Sequence, residues 1–204
     1  MRDPDFEAFI AEAGEATIRR DVPHEQISKY SSILPDALLG YWKEEGWCGY
    51  ADGLFWTVNP DDYKHLLDMW LAETEIEGLD NYHVIARSAF GALHAWGEKY
   101  NQRIVVSCFT GSIIALKNQL QKPNKNPGLA IQTFFAMFEK EKYDLENGEG
   151  QFLFEQALKK LGPLDESEIY GFQPPLFLGG APCLENIVKC DLDVNLTILR
   201  QLKR

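Results

Sequence analysis

Apolar residues recur at helical spacing over the first third of the chain, in short segments that glycine or proline interrupts. The spacing predicts amphipathic helices over residues 3–12, 25–30 and 35–45. Gly14 and Gly46 follow the first and the last of them, where a helix end in the left-handed conformation favours a residue without Cβ. We therefore expect those two helices to end at these glycines.

The segment Asn59-Pro60-Asp61-Asp62 predicts the start of a further helix. Asn accepts a hydrogen bond from the free amides of a first turn, and Pro has no amide to leave unpaired there. The two carboxylates favour the positive end of the helix dipole. Leucine and aromatic residues then follow at helical spacing, so we expect one face of this helix to be buried.

Aromatic and β-branched runs joined by short turns predict strands. They fall at residues 54–58, 82–90, 93–96, 103–109 and 112–116. Strands that follow one another through short turns form an antiparallel meander. We therefore predict an α+β fold, in which helices pack on one side of an antiparallel sheet.

A polar segment broken by two prolines, at residues 117–128, divides the chain. We predict an α+β domain over residues 1–117, a connection over 118–128 and a small, mainly helical domain over 129–204. We expect the second domain to pack on the first rather than move independently. Its predicted helices cover residues 129–138, 150–161 and 184–202, with a helix start at 165–168 and a break near Asp191.

Residues 40–63 concentrate aromatic side chains, with three Trp, three Tyr and one Phe among twenty-four residues. Aromatic residues at strand or helix spacing are typical of a packed core. Trp47 and Tyr50, however, stand on a glycine-rich turn between the predicted helix and strand, where exposed aromatic rings would anchor a partner. Both interpretations, core and anchor, follow from the same residues.

The net charge of −11 belongs to the first half of the chain. Residues 1–100 contain eight Lys or Arg and nineteen Asp or Glu, whereas residues 101–204 contain twelve of each. Affinity for a phosphate backbone comes largely from Lys and Arg, so this balance disfavours direct contact with DNA or RNA. It favours a basic protein partner, because opposite potentials accelerate encounter.

Acidic residues accumulate between Lys64 and Arg87, where the sequence has no Lys or Arg. One interpretation is a solvated segment that keeps the protein soluble. The other is a docking site for a cationic surface. The partner-binding residues predicted there are Asp68, Glu73, Glu75, Glu77 and Asp80.

Residues suited to catalysis or metal binding are few and scattered. Four Cys form no CxxC pair and four His form no HxxxH pair, so we expect neither a metal site nor a cofactor. His83 and His94 could approach each other across two strands, but we expect structural or surface roles for both. No catalytic residue is predicted. Cys48 supports an alternative, a small-ligand-binding protein or an enzyme that uses the aromatic, glycine-rich stretch around it.

Three stretches of the chain resemble one family of proteins. They are GYWKEEGWCGYADGLFWTVNPDDY at residues 40–63, YHVIARSAFGALHAWGEK at residues 82–99 and LKKLGPLDESEIYGFQPPLFLGG at residues 158–180. The first two resemble the GAD-like domain of bacterial immunity proteins linked to type VI secretion DNase toxins. The third resembles the small C-terminal domain that follows it in the same proteins.

The resemblance implies a non-catalytic immunity protein that binds and neutralises a cognate bacterial toxin, with a basic nuclease domain as the partner. A transcriptional or scaffold role in the same operon is a further alternative. The sequence has no apolar run of the roughly 20 residues that a membrane span needs, and its N-terminus lacks the pattern of a signal peptide. We therefore expect a protein of the bacterial cytoplasm without a membrane partner.

Overall fold

Seven α-helices and two antiparallel sheets make up residues 2–203, the part of the chain that this computed structural model describes. No helix in that range is long and apolar enough to cross a membrane. The helices are α1 (Pro4–Ala13), α2 (His24–Tyr30), α3 (Asp36–Glu44), α4 (Pro60–Leu71), α5 (Pro127–Ala136), α6 (Phe154–Leu161) and α7 (Leu192–Leu202). The strands are β1 (Ile18–Arg20), β2 (Trp47–Tyr50), β3 (Phe55–Thr57), β4 (Tyr82–Ser88), β5 (Ala92–Gly97), β6 (Arg103–Ser107), β7 (Ser112–Ile114), β8 (Glu168–Phe172) and β9 (Ile187–Asp191).

Local sequence signals account for the ends of the first helices. The Asp3 side chain accepts a hydrogen bond from a first-turn amide of α1 at 2.8 Å. Asn59 accepts from the Asp61 amide at the start of α4 at 3.2 Å, which confirms the predicted helix start. After α3 the chain passes through Gly46 with φ of +90°, where a Cβ would lie 2.6 Å from the Arg20 carbonyl oxygen. Glycine is therefore required at this turn.

Strands β1 to β7 form one sheet in sequence order, and every neighbouring pair is antiparallel. The predicted meander is therefore confirmed, and β1 and β2 extend it beyond the strands that the sequence pattern indicated. The register pairs His83 with Trp96 and His94 with Ala86. The two histidines are consequently not opposite each other.

Helices cover both faces of this large sheet. Phe55 and Trp56 are consecutive in β3, so their side chains point to opposite faces. Phe55 packs on α1 and α5, with its ring centroid 5.6 Å from that of Phe9 and 6.0 Å from that of Phe134. Trp56 lies on the side of α4 and the start of α7. The predicted class, an α+β antiparallel sheet with helices followed by a mainly helical region, is confirmed. The structure differs from the prediction in one respect: the helices were expected on one side of the sheet, whereas α1 and α5 cover the Phe55 face and α4 and α7 the Trp56 face.

The C-terminal region contains α5, α6 and α7 together with the small sheet of β8 and β9. The helix start predicted at residues 165–168 is wrong. Glu168 accepts a hydrogen bond from the Asp165 amide at 2.8 Å, but the turn that this bond closes leads into β8. The break near Asp191 is confirmed, because α7 begins just after it. The residues before the break pair with β8 and form a strand instead of the expected helix.

This C-terminal region packs against the first part of the chain at two places. Helix α5 lies against α1 and α3, and α7 lies against α4. Trp70 Nε1 donates to the Leu196 carbonyl oxygen at 3.2 Å. Arg200 donates to the carbonyl oxygens of Met69, at 2.9 Å, and Ala72, at 2.8 Å. The domain limits given by the sequence stay predictions, but the two regions are in direct contact.

Candidate partner-binding surface

Trp47 and Tyr50, the predicted aromatic anchors, are buried in strand β2. Their exposed fractions are 6% and 0%. Because β2 pairs with β1 on one side and with β3 on the other, this segment is an inner strand and not a turn. The Tyr50 ring meets those of Phe6 and Phe9 edge-on, with centroids 6.4 Å and 4.8 Å away. Of the two interpretations of these residues, core and anchor, the structure supports the core, because neither side chain is exposed.

Cys48 lies in the same strand and is also buried. Its thiol donates to the Glu45 carbonyl oxygen at 3.0 Å, and its amide donates to the Thr57 hydroxyl oxygen at 2.8 Å. Burial raises the pKa of the Cys48 thiol. A thiolate nucleophile needs the opposite, a lowered pKa together with access for a substrate. These surroundings are those of an inert core cysteine.

Four of the five predicted partner-binding acids are exposed. They are Asp68, at the end of α4, and Glu73, Glu75 and Glu77, in the turns after it; we call residues 68–77 the acidic segment. Lys64 pairs with Asp68, and Lys117 pairs with Glu75 at 2.5 Å, with all four side chains exposed. Exposed ion pairs contribute only about 0–1 kcal/mol, so a partner can replace these lysines at small cost.

Asp80, the fifth predicted acid, has a structural role. Its carboxylate is half-buried and accepts hydrogen bonds from the amides of Asn81 at 2.7 Å, Lys99 at 2.8 Å and Tyr100 at 2.9 Å. These bonds hold the turn after β5 against the start of β4. The sequence did not reveal this role, because the three amides come from two separate segments.

A groove lies between the large sheet and the C-terminal region, with a cavity of about 190 Å³. Arg20 extends over it, with its guanidinium 4.8 Å from the centroid of the Trp47 ring. The same guanidinium pairs with Asp62 at 2.7 Å and with Glu166 at 3.4 Å. Sequence reasoning missed Arg20, because only the pairing of β1 with β2 brings it beside Trp47.

Arg87 is 0% exposed and contacts Tyr63 and Trp56, two of the residues that line this groove. Its Nε donates to the Tyr63 hydroxyl oxygen at 3.0 Å, and its Nη2 donates to the Glu166 carbonyl oxygen at 2.9 Å. Its guanidinium also stacks on Trp56, 4.5 Å from the ring centroid. Burial lowers the pKa of Arg87, although an arginine stays protonated in proteins. Arg87 thus ties α4 and the turn before β8 to the large sheet.

The two strand histidines occupy different buried surroundings. His94 Nδ1 accepts a hydrogen bond from Arg103 at 3.0 Å. Burial, with a smaller contribution from the Arg103 charge, lowers the pKa of His94 to about 3. Burial also lowers the pKa of His83, although Glu98 opposes the shift. Within residues 2–203, no group of three or more His, Cys, Asp or Glu side chains is placed to hold a metal ion.

Comparison with known proteins assigns the chain to a family. The model of the GAD-like domain matches residues 5–110, which is more than half of the chain. The chain belongs to the GAD-like family. A second model, described as the C-terminal domain of the type VI secretion immunity protein Tdi1, matches residues 129–203 of this GAD-like protein. The resemblance seen in the sequence is therefore confirmed. Together, the two matches support a type VI secretion immunity protein.

Solved structures support the fold of the GAD-like protein. The crystal structure of Atu4351 from Agrobacterium tumefaciens is similar, with a TM-score of 0.84 and 22% sequence identity. The match covers 96% of this chain and 88% of that one. At this identity the similarity shows a shared fold, and it carries no conclusion about binding residues. No curated protein matches the chain.

Proposed function

We propose that this chain is a non-catalytic immunity protein that binds a type VI secretion toxin and neutralises it by covering a basic surface. Membership of the family supports a toxin as the partner. We further propose that the toxin is a nuclease, because a nuclease presents cationic groups to its phosphate substrate. An acidic protein surface would compete with nucleic acid for those groups in the bacterial cytoplasm.

The observation that carries this proposal is the exposure of the acidic segment. The side chains of Asp68 and Glu75 are 57% and 79% exposed. The sequence places no Lys or Arg between Lys64 and Arg87 to balance them from within the segment. Exposed charge of one sign accelerates the approach of an oppositely charged protein and suppresses wrong partners, and salt screens this effect. The acidic segment would therefore act on the rate of association.

The alternative of a small-ligand-binding protein has weaker support. Pockets that hold drug-sized ligands usually measure about 300–1,000 Å³. The groove that Trp47 lines contains about 190 Å³ and is already crossed by the Arg20 side chain. A hollow of about 490 Å³ beside Ala51, Asp52 and Leu54 lies within the usual range, but Cys48 is not among the residues that line it. The surroundings of Cys48 likewise do not favour an enzyme.

The test is to neutralise the acidic segment with Asp68→Asn, Glu73→Gln, Glu75→Gln and Glu77→Gln in one variant. Asp80 is left unchanged because its carboxylate holds a turn. We expect association with the protein encoded by the adjacent gene to slow by about tenfold at low salt, with little change in the dissociation rate. Rapid-mixing kinetics over a salt series would measure both rates.

The matched control removes the same charge elsewhere, through Glu141→Gln, Glu146→Gln, Glu149→Gln and Glu155→Gln at exposed positions. Equal slowing of both variants would show that the net charge of the protein controls the association rate, and that the acidic segment has no special role. If the unmodified chain neither bound the neighbouring protein nor rescued cells from it, the proposed function itself would be wrong.

A further inference from the structure

Three large apolar side chains lie exposed in one row along α7. Val194, Ile198 and Leu202 are 57%, 46% and 46% exposed and follow one another at four-residue spacing. Side chains four residues apart are neighbours on a helix, and such rows form the ridges by which helices pack into grooves. Single exposed apolar residues are ordinary on a protein surface, but a contiguous row indicates a contact site. We call this row the α7 ridge.

The opposite side of α7 holds the ridge in a fixed position. Leu196 and Leu199 are buried against the rest of the protein. Arg200 binds two carbonyl oxygens at the end of α4, and the Leu196 carbonyl oxygen accepts from the Trp70 indole. The fold therefore buries the inner side of α7 and leaves the ridge exposed. A rigid element of this kind suits recognition, because little conformational entropy is lost on binding.

Charged side chains stand at both ends of the α7 ridge. Asp191 and Asp193 are exposed at the end that begins with Val194, and Asp193 pairs with His65. At the other end, Leu202 precedes Lys203, which lines the same hollow as Glu73 of the acidic segment. The ridge thus connects the rim of the groove with the acidic segment. An apolar centre between charged ends is the usual arrangement of a protein interface.

We propose that the α7 ridge is the apolar anchor of the toxin interface, an inference that rests on the proposed function. The complementary surface is an apolar patch of the toxin with basic residues on its rim. A second copy of this chain fits less well, because each copy has a net charge of −11 and two copies would repel each other. Sequence analysis had proposed Trp47 and Tyr50 as aromatic anchors, but both side chains are buried in the core. We assign the anchor role to the α7 ridge instead.

The experiment removes apolar area without changing charge. In the double variant Ile198→Ala and Leu202→Ala, we expect the complex with the protein encoded by the adjacent gene to dissociate about 30-fold faster. The association rate should stay within about twofold, because the steering charges are unchanged. This pattern is the reverse of that expected for the acidic segment, so the two contributions can be separated.

The control is Leu129→Ala with Met137→Ala, two side chains that are 58% and 60% exposed in and just after α5. Binding by this variant should equal that of the wild type. The melting temperatures of both variants should also stay at the wild-type value, since all four replaced side chains are exposed. An unchanged dissociation rate in the ridge variant, while the wild type binds, would overturn the anchor and leave the proposed function standing. Failure of the wild type to bind would overturn both.

Sedimentation of the purified chain alone tests whether a second copy of this chain, and not the toxin, binds the α7 ridge. A monomer supports the proposal. A dimer that only the ridge substitutions dissociate would assign the α7 ridge to a second copy of this chain, and would overturn the toxin as its partner.

Discussion

The two faces of the large sheet are held by different kinds of contact. On the Phe55 face, aromatic rings of α1, β2, β3 and the α5 region pack edge to face, with Phe9 alone meeting five other rings. On the Trp56 face, directional hydrogen bonds from Arg87 and Arg200 join the sheet and α4 to the C-terminal region. The first face is held mainly by aromatic packing, whereas the second adds oriented hydrogen bonds to the apolar packing between α4 and α7.

This difference indicates which parts of the molecule must be positioned accurately. Apolar packing is non-directional, and it tolerates substitutions that conserve volume. A guanidinium, in contrast, presents its donors in a fixed planar fork. The groove, α7 and the acidic segment all lie on the Trp56 side. The elements proposed to meet the toxin are therefore the ones that arginine hydrogen bonds orient.

We expect the largest loss of stability from a substitution in the aromatic face. Phe9 is 0% exposed. Replacing it in Phe9→Ala leaves a cavity among five rings and should lower the free energy of unfolding by about 3–5 kcal/mol. Chemical denaturation followed by fluorescence measures the loss, with Leu129→Ala as an exposed control. A loss below about 1 kcal/mol would mean that the cluster does not act as a core.

A smaller loss is expected on the arginine face. Arg87→Met removes the hydrogen bonds to Tyr63 and Glu166 but keeps much of the side-chain volume, and should cost about 2–3 kcal/mol. Arg87→Lys keeps the charge but not the planar fork, so it should restore only part of that loss. Denaturation of the three proteins in parallel gives the comparison. Full recovery by lysine would show that charge matters there and orientation does not.

The two faces should also differ in their response to pH. His94 belongs to the aromatic face, and burial holds its pKa at about 3 against an ordinary 6.5. The unfolded chain takes up this proton below about pH 6.5 and the folded chain does not. The stabilising effect of neutral His94 is therefore complete above the ordinary pKa and decreases as the pH falls towards 3. The slope is at most about 1.4 kcal/mol per pH unit.

Denaturation midpoints at about pH 7 and about pH 5 test this dependence. His94→Gln keeps an acceptor for Arg103 and should flatten the slope. Asp3 and Asp61 add their own loss in more acidic solution, because hydrogen bonds outweigh burial and lower their pKa values. The difference between variant and wild type isolates His94. Equal slopes for both would contradict a buried neutral imidazole.

The parts of the fold that depend on neighbouring residues were predictable from the sequence. The start of α4 follows from Asn59 and Pro60, and the end of α3 follows from the turn at Gly46. The sequence did not decide between a buried and an exposed Trp47, because its burial depends on pairing with Arg20 of β1, a strand of three residues without a clear pattern. Residues 165–168 show the same limit. Their helix-start hydrogen bond forms, but pairing with β9 makes the next residues a strand.

The candidate surface likewise has one part that was predictable from the sequence and another that was not. The accumulation of acids around Glu73 and Glu75 is a property of composition, and it was visible in the sequence. The structural role of Asp80 depends on amides nineteen and twenty residues away. The amphipathic pattern of α7 predicted a helix, but which side of it would stay open depends on how α4 packs against it. Sequence analysis therefore found the charge of the surface and missed the exposed row on α7 that we propose as its anchor.

The bond between Arg200 and Met69 joins residues that are 131 positions apart in the chain. A ribosome that adds roughly 5–20 residues per second makes the end of α4 on the order of ten seconds before Arg200. During that interval the carbonyl groups of Met69 and Ala72 lack the Arg200 donor, and the α7 ridge does not yet exist. If the ridge is the anchor, growing chains do not capture toxin. Protection of the cell then depends on how many molecules have already left the ribosome when the toxin arrives.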